Sequence, residues 1–265
     1  LNNYVQIGHG GYETKGAASG NIHLRSGGDV NFTARGVQDR AYVQVGHGGW
    51  DADGNHSGNV VVSAGSGALG THLGTGLFDD LGDFNRNGIA DQIQFAAPGA
   101  GQGSVTLTGG TFTDSWVQVG HGGRSSGNTV GNASTMTGKV GVAANGNITL
   151  QGGTAARGFT QIGHGGWEDG TLNMTLAGDI SVISQTGLVR ALGGVGSEAY
   201  SLIGHGSLRN AAASVPLGTR SGSIYIEAAN WEVTPNGANS LARFGHRSQA
   251  ANNGLTAGNQ FSLVG

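Results

Sequence analysis

One stretch of this sequence has the ligand spacing of a cation site. In Asp83-Phe84-Asn85-Arg86-Asn87-Gly88-Ile89-Ala90-Asp91, side-chain oxygens fall at positions 1, 3, 5 and 9, with glycine at position 6, where an oxygen-ligand calcium loop turns sharply. Ile89, at position 7, would offer its backbone carbonyl. The twelfth position is Gln94, so the bidentate glutamate of an EF-hand is missing, and the loop is closer to the shorter calcium loops of extracellular repeat modules. Asp79 or Asp80 could add the remaining negative charge. The expectation is a structural calcium ion held by Asp83, Asn85, Asn87, Ile89 and Asp91, which would fold this segment and stiffen the body that carries it. The plainer reading is a solvated Asn/Gly turn.

A second set of candidate ligands is a row of histidines. Tyr42-Val43-Gln44-Val45-Gly46-His47-Gly48-Gly49 returns along the chain in copies that begin at Tyr4, Trp116, Phe159, Tyr200 and Leu241 and end their Gly-His pairs at His9, His121, His164, His205 and His246. Successive histidines are 38, 74, 43, 41 and 41 residues apart, so one interval holds an insertion, at about residues 68–100. Neutral imidazole is a common metal ligand, but a row of them lacks a convergent tetrahedral shell. In a strand, Val43, Val45 and His47 share one face, and Ile, Val or Phe always fills the position of Val45, so that face is the core. Histidine then lies at or beneath a corner, where its ring can bond a turn carbonyl and stack on the next copy. The aromatic row Tyr4, Tyr42, Trp116, Phe159 and Tyr200 reads as an inward stacking ladder, or else as an outward glycan-stacking stripe. Gln6, Gln44, Gln118 and Gln161 suggest an amide ladder, copy bonded to copy, which Leu202 and Arg243 interrupt.

Other motifs carry less. Asp51-Ala52-Asp53-Gly54-Asn55 is an acidic glycine turn before it is a cation site, and Asn132-Ala133-Ser134 and Asn147-Ile148-Thr149 match the glycosylation acceptor pattern by coincidence. The Gly-x-Gly triplets end strands and open no helix, so they are not phosphate cradles.

The elements that must position these residues are strands. Ile22-His23-Leu24, Val30-Asn31-Phe32-Thr33, Val60-Val61-Val62, Val105-Thr106-Leu107, Val140-Gly141-Val142, Ile148-Thr149-Leu150, Ile180-Ser181-Val182 and Ile224-Tyr225-Ile226 are short β-branched runs bounded by Gly, Asn, Asp or Ser. No stretch sustains the 3.6-residue period of a helix. Residues 20–49 hold three such strands, over 21–25, 29–34 and 42–45. The fold expected is therefore all-β: a right-handed parallel β-solenoid with three strands per coil, spanning residues 1–265 as one repeat domain; a rival count places two shorter coils in each cycle. Its coils would stack ~4.8 Å apart to give a body roughly 30 Å long. The variable segments after Gly-His-Gly-Gly should protrude from one corner.

Composition agrees with this architecture. Glycine supplies 54 of 265 residues without the strict third-residue period of collagen. Charged residues are 11 % and the net charge is −3, which gives nucleic acid no basic footprint. Without cysteine there is neither a disulfide nor a thiolate site. No apolar stretch reaches the ~18–20 residues of a membrane span. The chain reads as a mature protein or a piece of a longer one.

Tandem Gly-Asn-Ile-Thr-Leu (146–150) and Gly-Asp-Val-Asn-Phe-Thr-Ala (28–34) strands with Gln-Ile/Val-Gly-His-Gly-Gly cycles resemble the shafts of filamentous haemagglutinin-like, two-partner-secreted bacterial adhesins. The resemblance covers most of the chain outside residues 68–100. It implies export through an outer-membrane partner, a place at the bacterial surface or in the biofilm matrix, and service as an extracellular adhesive filament rather than an enzyme. Partners expected are further coils of a longer parent chain or end-to-end copies, and cell-surface or matrix polysaccharide. The alternative is a polysaccharide-binding or polysaccharide-degrading parallel β-helix, which for catalysis needs acids gathered on adjacent coils; Asp29, Asp179 and Glu227 are instead scattered over distant cycles.

Overall fold

Runs of Val, Ile and Leu alternating with small polar residues become strands, and the glycines between them become corners. The computed structural model describes residues 3–36, 38–65, 103–126, 134–167, 174–206, 218–237, 240–246 and 261–264. The calcium-type loop of Asp83, Asn85, Asn87, Ile89 and Asp91 lies outside them. The described residues contain no helix, and every strand pair is parallel.

Four ladders run through the molecule, taken in the order the chain visits them. Ladder 1 is built from Tyr4–Ile7, Tyr42–Val45, Trp116–Val119, Thr160–Ile162, Ser201–Ile203 and Ala242–Phe244. Ladder 2 consists of Ala18–Ser19, His56–Ser57, Thr135–Thr137, Thr175–Ala177 and Arg220–Ser221. Ladder 3 holds Ile22–Ser26, Val60–Ala64, Val140–Ala144, Ile180–Ser184, Ile224–Glu227 and Phe261–Val264. Ladder 4 holds Val30–Thr33, Val105–Thr108, Ile148–Gln151, Leu188–Leu192 and Asn230–Thr234. Strands of ladder 2 are only two or three residues long, too short to announce themselves by period-2 alternation.

Each strand pairs with its own copy one full repeat away, as Gln6 with Gln44 and Gln44 with Gln118, and none of those described pairs half a repeat away. One repeat therefore makes one step of the stack. Register is held at the strand entries too. Asn21 Oδ1 accepts the backbone N–H of Asn59, Asn59 Oδ1 that of Lys139, and Asp179 Oδ1 that of Ser223, at 2.8–2.9 Å. At these three entries the polar residue that opens the strand thus bonds to the next step, where a slip by one residue would turn the apolar set outward.

The main core lies between ladders 1, 3 and 4. It gathers Val45, Val119, Ile162 and Ile203 from ladder 1 with Val60, Val62, Val142 and Ile180 from ladder 3 and Phe32, Leu107, Ile148 and Leu150 from ladder 4. Ladder 4 alternates buried and half-buried positions, so one face meets water, whereas both faces of Val60–Ala64, Val140–Ala144 and Ile180–Ser184 are buried.

Candidate functional site: the histidine, glutamine and aromatic rows

The Gly-His corner brings six histidines into one stack. Their rings are parallel within 9° and 4.7–5.1 Å apart, close to the strand spacing, because each is carried by the same position of ladder 1. Two bonds fix every inner ring. The backbone N–H of one histidine donates to Nδ1 of the next: His9 to His47, His47 to His121, His121 to His164, His164 to His205 and His205 to His246, all at 2.9–3.0 Å. On the other side of each ring, Nε2 lies 2.8–2.9 Å from a glycine carbonyl at the corner between ladders 2 and 3: Gly20, Gly58, Gly138, Gly178 or Gly222.

This geometry assigns the tautomer. A nitrogen that accepts a backbone N–H carries no proton, so Nδ1 is bare and Nε2–H is the donor to glycine. From His47 to His246 both ring nitrogens are committed and the rings are neutral. Burial is the main cause that pushes their pKa values down, with neighbouring histidines adding to it and the Nε2 bond opposing it; His205 falls to about 3, and His121 and His164 lie well below the ordinary value. The expectation of a corner histidine bonding a turn carbonyl and stacking on its copy holds. These five rings have no lone pair left for a metal ion.

The close approach at the corner explains the glycine before each histidine. At Gly46, Gly120, Gly163 and Gly204 φ lies between +138° and +157°, and an added Cβ would overlap the carbonyl oxygen of the matching glycine in the next step.

The glutamine row departs from expectation. Instead of bonding copy to copy, each amide nitrogen reaches three backbone carbonyls: Gln118 Nε2 donates to His121 O at 3.3 Å, Gly163 O at 2.9 Å and Gly165 O at 2.8 Å. Gln44 and Gln161 repeat the pattern. The Gly-His-Gly corner leaves carbonyls aimed along the stack, and a buried carbonyl needs a donor more than an amide needs its twin.

The aromatic row does turn inward. Tyr4, Tyr42, Trp116, Phe159 and Tyr200 stack within 5° of parallel at 4.5–5.3 Å, and the last four are buried. Yet they stand on the face of ladder 1 opposite Val45. The covering comes from the segment after Gly-His-Gly-Gly, whose described beginning folds back over ladder 1 instead of protruding. Gly10–Tyr12 pairs with Gly48–Trp50, and Trp50 and Trp167 join the aromatic cluster. The four inner strands of ladder 1 are buried on both faces as a result.

A further row escaped the sequence reading. The residue after each Gly-His-Gly-Gly is Tyr12, Trp50, Arg124 or Trp167 in successive steps, and the Arg124 guanidinium sits 4.0 Å from the Trp50 ring and 4.7 Å from the Trp167 ring. Arg40 and Arg157 flank the two tryptophans at 5.3 and 5.2 Å, and Asp114 pairs with both Arg124 and Arg157. The signal was the shared offset from histidine, hidden by the change of residue type. His56 in ladder 2 was also passed over. It is 2 % exposed, neither ring nitrogen has a hydrogen-bond partner in the structure, and burial pushes its pKa down to about 4.

The weaker candidates find structural roles. Asp53 pairs with Lys15 at 2.6 Å, and Asn147 Oδ1 accepts the N–H of Leu188. Asn132 lies outside the described residues. Among those described, no group of three or more His, Cys, Asp or Glu converges as a metal site, and no helix is long and apolar enough to cross a membrane. Compared with protein-family models, curated proteins and solved structures, the chain matches none.

Proposed function

We propose that this chain is a stretch of the shaft of a secreted bacterial surface or biofilm-matrix adhesin, a non-enzymatic right-handed β-solenoid with three strands per coil, in which the short strands of ladder 2 belong to a corner. The observation that carries this reading is how the repeated polar residues are used. Histidine and glutamine, the groups best suited to ligand chemistry, direct their hydrogen bonds to neighbouring steps of the same stack. The repeat thus supplies length and stiffness, and contact with cell surfaces or matrix polysaccharide falls to the segments between repeats. Two-partner secretion follows from the resemblance to haemagglutinin-like shafts. Within the same reading, residues 83–91 bind a structural calcium ion. Electron microscopy of the purified chain, binding to bacterial cells and matrix polysaccharides, and a calorimetric calcium titration test it. Compact particles without surface binding would overturn the shaft, and a flat titration would remove the ion.

One observation favours polysaccharide recognition as a second reading. The solvent-facing side of ladder 4 sets Asn31, Thr106 and Thr149 in one column and Thr33, Thr108 and Gln151 in the next, a regular polar surface at the strand spacing. Incubation with pectins and glucans separates binding from degradation, since released unsaturated or reducing ends would establish an enzyme.

A further inference from the structure

Ladder 2 turns one column of side chains into the molecule. In register from step to step these are Ala18, His56, Met136, Leu176 and Arg220. His56 is the odd member. It is buried and neutral, yet neither Nδ1 nor Nε2 has a hydrogen-bond partner, whereas the stacked rings from His47 to His246 use both nitrogens. Such an imidazole gives up the hydration of one donor and one acceptor and regains neither, and a buried group in that state calls for a water or an ion. A buried water needs roughly two to four polar partners. The side chains directly above and below His56 are Met136 and Ala18, and neither can donate a hydrogen bond to it.

What Met136 does bring is a thioether. The chain has two methionines, and both are here: Met136 and Met174 are fully buried and pack with Leu176 in one small cluster. Met136 thus has His56 one step away on one side and Met174, at the entry to the next strand of ladder 2, on the other. Its sulfur turns into the corner at Gly122, where a Cβ would come within 2.7 Å of Sδ, so glycine there leaves the room it occupies. Asp53, whose carboxylate pairs with Lys15, is near enough to His56 to favour positive charge on it.

Neutral imidazole beside thioether sulfur is a poor set for calcium or magnesium, which take oxygen ligands, and suits copper(I). A single positive charge is also the least costly to bury among neutral ligands. We propose that His56 and Met136 bind one soft monovalent cation of the copper(I) class across the boundary between adjacent steps of ladder 2, with Met174 closing the site. One ring nitrogen of His56 supplies its lone pair and the other keeps its proton. The ion clips together steps whose ladder 2 strands are two and three residues long, where backbone pairing is thinnest. This role is independent of what the outside of the shaft contacts.

Silver(I), with the same charge and ligand preference and no redox chemistry in air, is the probe, and copper(I) under anaerobic reductant is its check. The full chain is titrated folded and is also refolded with the ion present, because the site is enclosed. One equivalent should bind and raise the melting temperature. With methionine labelled at its methyl carbon the chain gives two signals, and both should move on binding, together with one ring nitrogen of His56. Met136→Leu, which keeps the volume, and His56→Leu should each weaken binding at least about tenfold, the low end of what losing even a supporting group costs a metal site. Zinc(II) and calcium at equal concentration should not displace silver. Absence of saturable binding would overturn the proposal. So would binding that persists in both variants or leaves the methyl signals in place, which puts the ion on exposed histidines such as His9 and His23. Displacement by zinc would overturn the assignment to a soft ion. Should a variant lose its thermal transition, the methyl shifts of the native chain decide the question alone.

Discussion

Acidification should unfold this protein through its buried histidines. In the unfolded chain each imidazole takes up a proton near pH 6.5, whereas in the folded stack it stays neutral, because Nδ1 is occupied by a backbone N–H and burial opposes the charge. The folded pKa lies below the unfolded one, so unfolding binds protons. Stability is full above pH 6.5 and is lost as the pH falls towards about 3 for His205 and about 4 for His56. At pH 5 the linkage is about 1.4 kcal/mol for each unit below 6.5, or about 2 kcal/mol for each of these two residues. His121 and His164, equally buried, act in the same direction. Urea melts between pH 7.5 and pH 5 (~5, where free carboxylates are still mostly ionised) measure the loss. His205→Asn, neutral throughout, should be less stable at pH 7 yet lose about 1.4 kcal/mol per pH unit less on acidification. Nitrogen NMR should find the inner rings as Nε2–H tautomers. A stability that is flat from pH 7 to pH 5, or a majority of Nδ1–H rings, would refute the reasoning.

Three other outcomes follow from the same boundaries. Gly120→Ala should cost about 3 kcal/mol or more, or abolish folding, because its Cβ meets the Gly163 carbonyl at a φ of +140°; thermal melting reads it. Gln118→Leu leaves the carbonyls of Gly163 and Gly165 without their side-chain donor and should destabilise by about 1–3 kcal/mol, while Gln6→Leu, at the exposed end, should cost well under that in the same urea melts. Arg124→Leu removes the cation between Trp50 and Trp167 and should cost about 1–2 kcal/mol, with a change in tryptophan fluorescence on the same sample.

The sequence shows its strands because alternation and glycine punctuation are local signals, and the runs at Val30, Val105 and Ile148 read correctly for that reason. The place of the histidines was legible as well, since Val45 and His47 share a face and that face is the core. What the glutamines bond was not. Alternation tells which way Gln118 points, but not that carbonyls of the next step stand closer to it than its own copy does. The first residues after Gly-His-Gly-Gly were illegible for a related reason: their polar neighbours suggest solvent, whereas Tyr12, Trp50 and Trp167 lay them against ladder 1. The Trp50–Arg124–Trp167 sandwich was illegible because a repeat is found by likeness, and these three residues are unlike. The calcium-type loop of residues 83–91 stays an expectation from spacing.

The long connection between Ala64 and Val105 says something about how such a molecule can change. It enters at the corner between ladder 3 and ladder 4, yet Val60 still pairs with Val140 and Val30 with Val105, in unbroken register on both sides. Closing a loop of that size instead of a three-residue turn, as between Ala144 and Ile148, costs about 2 kcal/mol of chain entropy, since the cost grows only with the logarithm of length. Nothing across the boundary has to move to accommodate it. The corner is thus a socket: segments of very different length can join ladder 3 to ladder 4 there, while the strands on either side keep their pairing.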